Sequence, residues 1–277
     1  MITPDLNVLK RFIFGFGSFY IPPVIIICLA IIQYFTLIKH TSLSIGVWVL
    51  MFLYILVNIA SGWPTGLMVN LVLTLMCIPM TFLIAILLAA SRYQRELVVI
   101  NIISSVLIEC VRGVPLIGLM IFFLSIGSDM VPAYWKIPKM ITLWLIYSFF
   151  AGVYLAEVFR GGFATITKTY FDGADALGLS QLQIYFYILI PKVVIDTMPA
   201  AFNVYIGLFK ETSLVLLFGY FDLMNMAFNY LDFPENYDQS LNVYAMVLIL
   251  FWIIATVIHE YGNHLFKIMG IYESKEK

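Results

Sequence analysis

FDGADALGLSQLQIYFYILIP, residues 171–191, is the polar interruption in an otherwise apolar chain, and the rest is read outward from it. Its turn chemistry predicts two short helices joined at a glycine. Thr169 with Asp172 three residues on, and Ser180 with Gln183, have the spacing of helix-starting capping boxes. Gly178 falls where the first helix should end in the left-handed region, and Pro191 should close the second. One side of the first helix carries Tyr170, Phe171, Ala174 and Leu177; the second carries Leu182, Tyr185, Phe186 and Leu189 at helical spacing. Isolated helices below roughly 12 to 15 residues are marginal in water, so these faces must dock on something.

Composition places the rest of the chain in lipid. Hydrophobic residues make up 62% and charged residues 11% of the 277, against about 25% charged in soluble domains. The expected fold class is an all-α integral membrane protein with about seven transmembrane helices. Apolar runs at 21–38, 43–60, 67–90, 97–127, 138–158, 193–218 and 243–266 supply them, the fourth interrupted by Arg112-Gly113-Val114-Pro115. A charged start, Lys10-Arg11, leads into an apolar run without a cleavage site, so no signal peptide is read there. The net charge of -1 gives no argument for nucleic acid. Cys28, Cys77 and Cys110 lie apart in apolar stretches, and His40, His259 and His264 lack metal-ligand spacing. No metal site, paired catalytic carboxylates or nucleophilic triad stands out, and no P-loop motif is present.

Basic residues orient the spans. With the polar stretch inside, Arg160, Lys168, Lys192, Arg92, Arg95, Lys39, Lys267, Lys275 and Lys277 share the cytoplasmic side. Lys10 and Arg11 fall outside and fit the rule badly. Residues 219–242 carry Asp222, Asp232, Glu235 and Asp238 without a base, as an outer segment can.

Ionisable residues within spans are costly and mark functional candidates. Glu109 and Arg112 stand three apart, on one helix face. They are read either as an internally paired helix break or as a direct substrate contact. Lys210-Glu211-Thr212-Ser213 is the second cluster; counting about 1.5 Å per residue from Pro199 sets Lys210 roughly 16 Å into the bilayer. Adjacent residues do not face one another, so this pair either meets a zwitterionic substrate or pairs with neighbouring helices and gates the path.

The spacing of Asp172, Gly173, Ala174, Gly178, Ile188, Ile190 and Pro191 resembles the EAA loop of ATP-binding cassette importer permeases. The chain departs from that pattern in having Asp172 for glutamate, Gly173 for alanine and Ile190 for leucine. Three further segments are similar to those of the polar amino-acid uptake permeases: IECVRGVPL (108–116), AEVFRGGF (156–163) and IGLFKETSLV (206–215). In the second of these, a structural account also suffices: Arg160 suits a helix C-terminus, and Gly161-Gly162 lets the chain turn into the loop.

The resemblance implies a membrane-spanning permease subunit of an amino-acid importer in the bacterial inner membrane, not itself an enzyme. Two N-terminal extra helices (1–64) would precede a five-helix permease core (65–277), with the cytoplasmic coupling loop at 160–192. Asp172, Gly173, Ala174, Gly178, Leu182, Ile188 and Pro191 would couple to the ATPase; Lys210, Glu211, Thr212, Ser213, Glu109 and Arg112 would belong to the translocation path. The implied partners are ABC ATPase subunits, a second permease subunit, expected to be a homologous heteromeric partner, and an extracytoplasmic substrate-binding protein. ATP would be bound by the ATPase subunits, and no cofactor is implied for this chain. An ion-coupled secondary transporter and a non-transporting membrane scaffold remain open alternatives.

Overall fold

The computed structural model describes residues 66–93, 98–126, 137–167, 170, 173–174 and 176–268. The two N-terminal spans, Asp172, and the Thr169–Asp172 cap lie outside the described residues. Within them the chain is all-α: α1 (Leu67–Tyr93), α2 (Val98–Gly113), α3 (Leu116–Ile121), α4 (Lys139–Ala164), α5 (Gln181–Ile184), α6 (Ile190–Glu211), α7 (Leu223–Leu231) and α8 (Ser240–Ile268). Among the described residues, four helical segments are long and apolar enough to cross a membrane. A fifth span is reached only if α2 and the segment after it count together, since the chain bends there by 100°. The Gly-Pro break therefore does more than interrupt a span: Pro115, extended at ψ 137, cannot carry the α2 ladder into α3.

The chain divides into two compact units, one from the residues up to 76 with 209–256, the other from 77–208 with 257–277. In the first, Phe209 meets Phe251, and Phe228 meets Tyr244 edge-on. In the second, Ala85 and Ala89 of α1, Ile108 of α2, Phe159 and Phe163 of α4, and Val193 and Ala201 of α6 form one buried cluster.

Small residues let these helices approach, as lipid-embedded bundles require because lipid gives no hydrophobic drive between helices. Gly161-Gly162 does not turn the chain; α4 continues through both to Ala164. A methyl group on Gly162 would come within 2.5 Å of Thr197 Cγ2 and 2.9 Å of Val193 Cγ1, whereas one on Gly161 would meet nothing within 4 Å. The two neighbours are β-branched and held at χ1, so they cannot swing aside. The Gly162→Ala variant should therefore lose about 1–3 kcal/mol through overpacking. Gly161→Ala should be neutral or slightly stabilising; thermal melting of the detergent-solubilised variants checks the contrast.

Candidate functional site

The polar stretch is built as two short helical pieces, and the Gly178 stop and the Ser180 box are the ones the sequence calls for. Gly178 sits at φ 70, and the Leu179 N–H donates to Ala174 O at 3.3 Å, the six-to-one bond of a left-handed helix stop. The Ser180 N–H donates to Gln183 Oε1 at 2.8 Å, the backward half of a capping box. Gly173 is exposed with open space around it.

The second piece departs from ideal periodicity. Between α5 and α6 the residues Tyr185–Leu189 form one π-helical turn, and the Ile190 N–H reaches back five residues to Tyr185 O. The widened turn shifts the register. Ile184 and Leu189, five apart, are both fully buried with Ala174 in the cluster of the second unit. Phe186, expected beside Leu189, is instead 64% exposed, with Tyr187 at 74% and Leu177 at 77%. Pro191 does not end the helix either. Its missing N–H falls at the junction where the ladder returns to ordinary α spacing, and the helix runs on to Glu211. Ile188 is partly buried against the cluster and Pro191 is exposed. The backbone of Leu182 lies in α5.

The helix α4, which shares a buried cluster with this stretch, carries an ion cluster. Glu157 Oε2 accepts from Arg92 Nη1 at 2.8 Å, and its Oε1 accepts from Arg160 Nε at 2.8 Å and Nη2 at 2.6 Å. Arg112 approaches the same carboxylate at 4.0 Å, its guanidinium lying over the Tyr154 ring. Arg112 thus turns to Glu157 on α4, not to Glu109 on its own helix. Three arginines share one acid, and Arg92 and Arg112 both sit in the last turns of their helices. Asn101 and Ser104 tie α2 to the end of α1 through Arg92 O and Ser91 Oγ.

The Lys210–Ser213 segment lies where α6 gives way to a 3-10 helix, Thr212–Phe218, which stops at Gly219 with φ 82. Tighter winding inside a long helix often marks a hinge. Lys210 is exposed, Glu211 and Ser213 are half-buried, and Thr212 is fully buried. Ser213 Oγ caps Lys210 O at 2.9 Å.

Sequence reasoning missed a buried polar node in the first unit. Asn70 Nδ2 donates to Thr212 Oγ1 at 3.1 Å and to Asp222 Oδ2 at 3.3 Å, while Asn70 Oδ1 accepts the Leu223 N–H at 3.3 Å. All three side chains are buried. An asparagine inside an apolar run is the signal that could have found it.

Asp222 lies between spans, and burial pushes its carboxyl up to about 6 against the hydrogen bonds from Asn225 and Asn70. Between the ordinary 3.8 and 6 the folded chain keeps a proton that the unfolded chain gives up. Stability from this group is complete below 3.8 and lost as pH rises through 6. Relative to Asp222→Asn, the parent should lose at most about 3 kcal/mol across that window. Melting temperatures of the two proteins compared from pH 4 to pH 7 give the difference directly.

A family model described as binding-protein-dependent transport system inner membrane component matches residues 6–264. The glutamate/glutamine/aspartate/asparagine transport system permease protein BztC of Rhodobacter capsulatus is 30% identical over 190 residues, 67% of this chain and 44% of that protein. The inner membrane amino-acid ABC transporter permease protein YhdY of Escherichia coli is 31% identical over 186 residues, 66% of this chain and 49% of that protein. The chain thus spans about half the length of these relatives. In fold it is similar to a chain of a crystallised amino acid ABC transporter, with TM-score 0.63 and 20% identity over 73% of this chain and 91% of the other. A chain of the inward-facing MetNI methionine ABC transporter gives 0.57 at 16% identity, over 72% and 91%.

Proposed function

We propose that this chain, which belongs to the binding-protein-dependent transport system inner membrane component family, forms the membrane path of an ATP-driven importer of polar amino acids. It is a multi-pass protein of the inner membrane and a permease by family. The amino-acid substrate is read from the relatives, which include a glutamate, glutamine, aspartate and asparagine system.

The observation that carries the coupling role is the two-sidedness of residues 173–189. Ala174, Ile184 and Leu189 are locked into the second unit, while Leu177, Phe186 and Tyr187 are left outward. Large apolar and aromatic side chains presented together by a short, firmly capped element are suited to filling a groove on a partner. That partner is the ATPase, which binds and hydrolyses ATP in place of this chain; Asp172, Gly173, Gly178, Leu182, Ile188 and Pro191 shape the element it grips.

The path is assigned to Lys210, Glu211, Thr212 and Ser213 with Glu109 and Arg112. Exposed Lys210 suits the carboxylate of an amino acid, and Glu211 its ammonium. Thr212 supports the segment from its buried side. A second permease, homologous but distinct, and an extracytoplasmic binding protein complete the assembly. Two conformations of the transmembrane helices, biased by ATP through the coupling element, move the substrate inward.

Purification of the tagged chain from its native membrane, with mass spectrometry of what accompanies it, tests this reading. An ATPase should appear together with a second permease or a binding protein. Glutamate, glutamine, aspartate and asparagine supplied with the binding protein should raise ATP turnover. Leu177→Glu with Tyr187→Glu should insert in the membrane normally and release the ATPase. A chain that emerges alone, stable and able to bind an amino acid would contradict the reading and favour an ion-coupled transporter.

A further inference from the structure

The buried node at Asn70 has a geometry that the path and coupling assignments do not use. Its carboxamide joins two places that are ten residues apart in the chain and different in character. One is Thr212, the first residue of the 3-10 segment that follows Lys210 and Glu211. The other is the start of α7, where Asp222 caps the helix by accepting the Asn225 N–H at 2.9 Å and Leu223 begins it. Residues 219–242 are the acidic segment expected on the outer face.

The residue type matters. Asn70 needs two hydrogens on one atom, for Thr212 and Asp222, and an acceptor on the other, for the Leu223 N–H; a carboxamide is a neutral side chain with that set. Thr212 spends its own hydrogen on Phe209 O at 2.6 Å, so it has only a lone pair to offer. Asp222, accepting on both oxygens, needs a donor and not another acid. The Gly66 N–H, donating to Phe221 O at 2.6 Å, fastens the start of α1 to the same turn.

We propose that Asn70 is a positioning residue that transmits load from the outer segment to the hinge: it clamps Thr212 to the first turn of α7, so that a protein docking on residues 219–242 sets the conformation of Lys210–Ser213. The 3-10 segment is the element that can respond. Rewinding its seven residues between 3-10 and α geometry changes its length by roughly 3 Å, because the rise per residue differs by about 0.5 Å. With Thr212 held at one end and Gly219 free to turn at the other, a shift of α7 is converted into that change. The proposal rests on the importer reading, since the docking protein is the binding protein of that assembly.

The test uses the assembled transporter in proteoliposomes with the binding protein and the four amino acids named above. Asn70→Asp, Asp222→Asn and the swapped double variant are compared. Asn70→Asp puts a second carboxylate against Asp222, whereas the swap restores one acid and one amide: the amide at 222 donates to the acid at 70, which still accepts the Leu223 N–H, and the Thr212 hydroxyl turns its hydrogen from Phe209 O to the acid. In Asn70→Asp, basal ATP turnover and the half-saturating concentration of binding protein should stay as in the parent. Its maximal stimulation should fall about tenfold, the size expected from losing one buried hydrogen-bonded contact. The double variant should recover to within about twofold of the parent, as coupled neighbours do.

Full stimulation in Asn70→Asp overturns the proposal. So does a proportional loss of basal and stimulated turnover in all three variants, which is what a purely structural contact gives. Should Asn70→Asp fail to assemble, the double variant decides: stimulation like the parent's supports the clamp, and its absence in an assembled complex overturns it. A parent complex that the binding protein does not stimulate overturns the importer reading instead, and is distinguishable because no variant is needed to see it.

Discussion

Glu157 is the acid on which the second unit depends. Arg92 and Arg112 occupy the last turns of α1 and α2, where the helix dipole favours a cation. Arg160 stands one turn above the end of α4. Brought together without an acid, these three guanidiniums would repel. With Glu157 between them, two bond directly and the third approaches to 4.0 Å, so three helix ends can converge on one side of the bundle. The arrangement is half-exposed, so its contribution lies between the about 0–1 kcal/mol of an open ion pair and the about 3–5 kcal/mol lost on breaking a buried one. Its larger effect is geometric: it ties α1 and α2 to α4, whose Ala156, Phe159 and Phe163 share a buried floor with Ala174, Ile184 and Leu189.

On that floor, local backbone devices decide which side chains face outward. The left-handed stop at Gly178 separates the two pieces of the coupling stretch, and the capping box at Ser180 starts the second. The π turn then rotates the chain so that Ile184 and Leu189 point inward together and Phe186 and Tyr187 are displaced outward. An uninterrupted α-helix over the same residues would present a different face. In the first unit the corresponding device is the change from α to 3-10 winding at Thr212, supported from inside by a single asparagine.

The fold was legible where the physics is local or compositional. Apolar runs marked the five described core segments, and the positions of Gly178 and Ser180 followed from the geometry each residue type favours. The rest depended on partners distant in sequence or on departures from ideal winding. Arg112 reads as a partner of Glu109 or a substrate contact because the two are three apart, but the carboxylate it approaches lies 45 positions on, across a helix interface. Gly162 read as a turn residue because nothing in the sequence says that Val193 and Thr197 will press against it. Pro191 read as a stop because the π turn that accommodates it has no composition of its own. Asn70 passed unseen because one amide in an apolar helix acquires meaning only from what it meets.

Cysteine cross-linking to the ATPase measures the central claim, that residues 173–189 are the surface through which ATP acts. In a chain lacking its native cysteines, Leu177→Cys and Tyr187→Cys should each form an adduct with the ATPase in native membranes, its yield changing with ATP, while Ile184→Cys should form none. Adducts from Ile184→Cys alone, or none from Leu177→Cys and Tyr187→Cys in membranes where the ATPase is bound, would contradict the account.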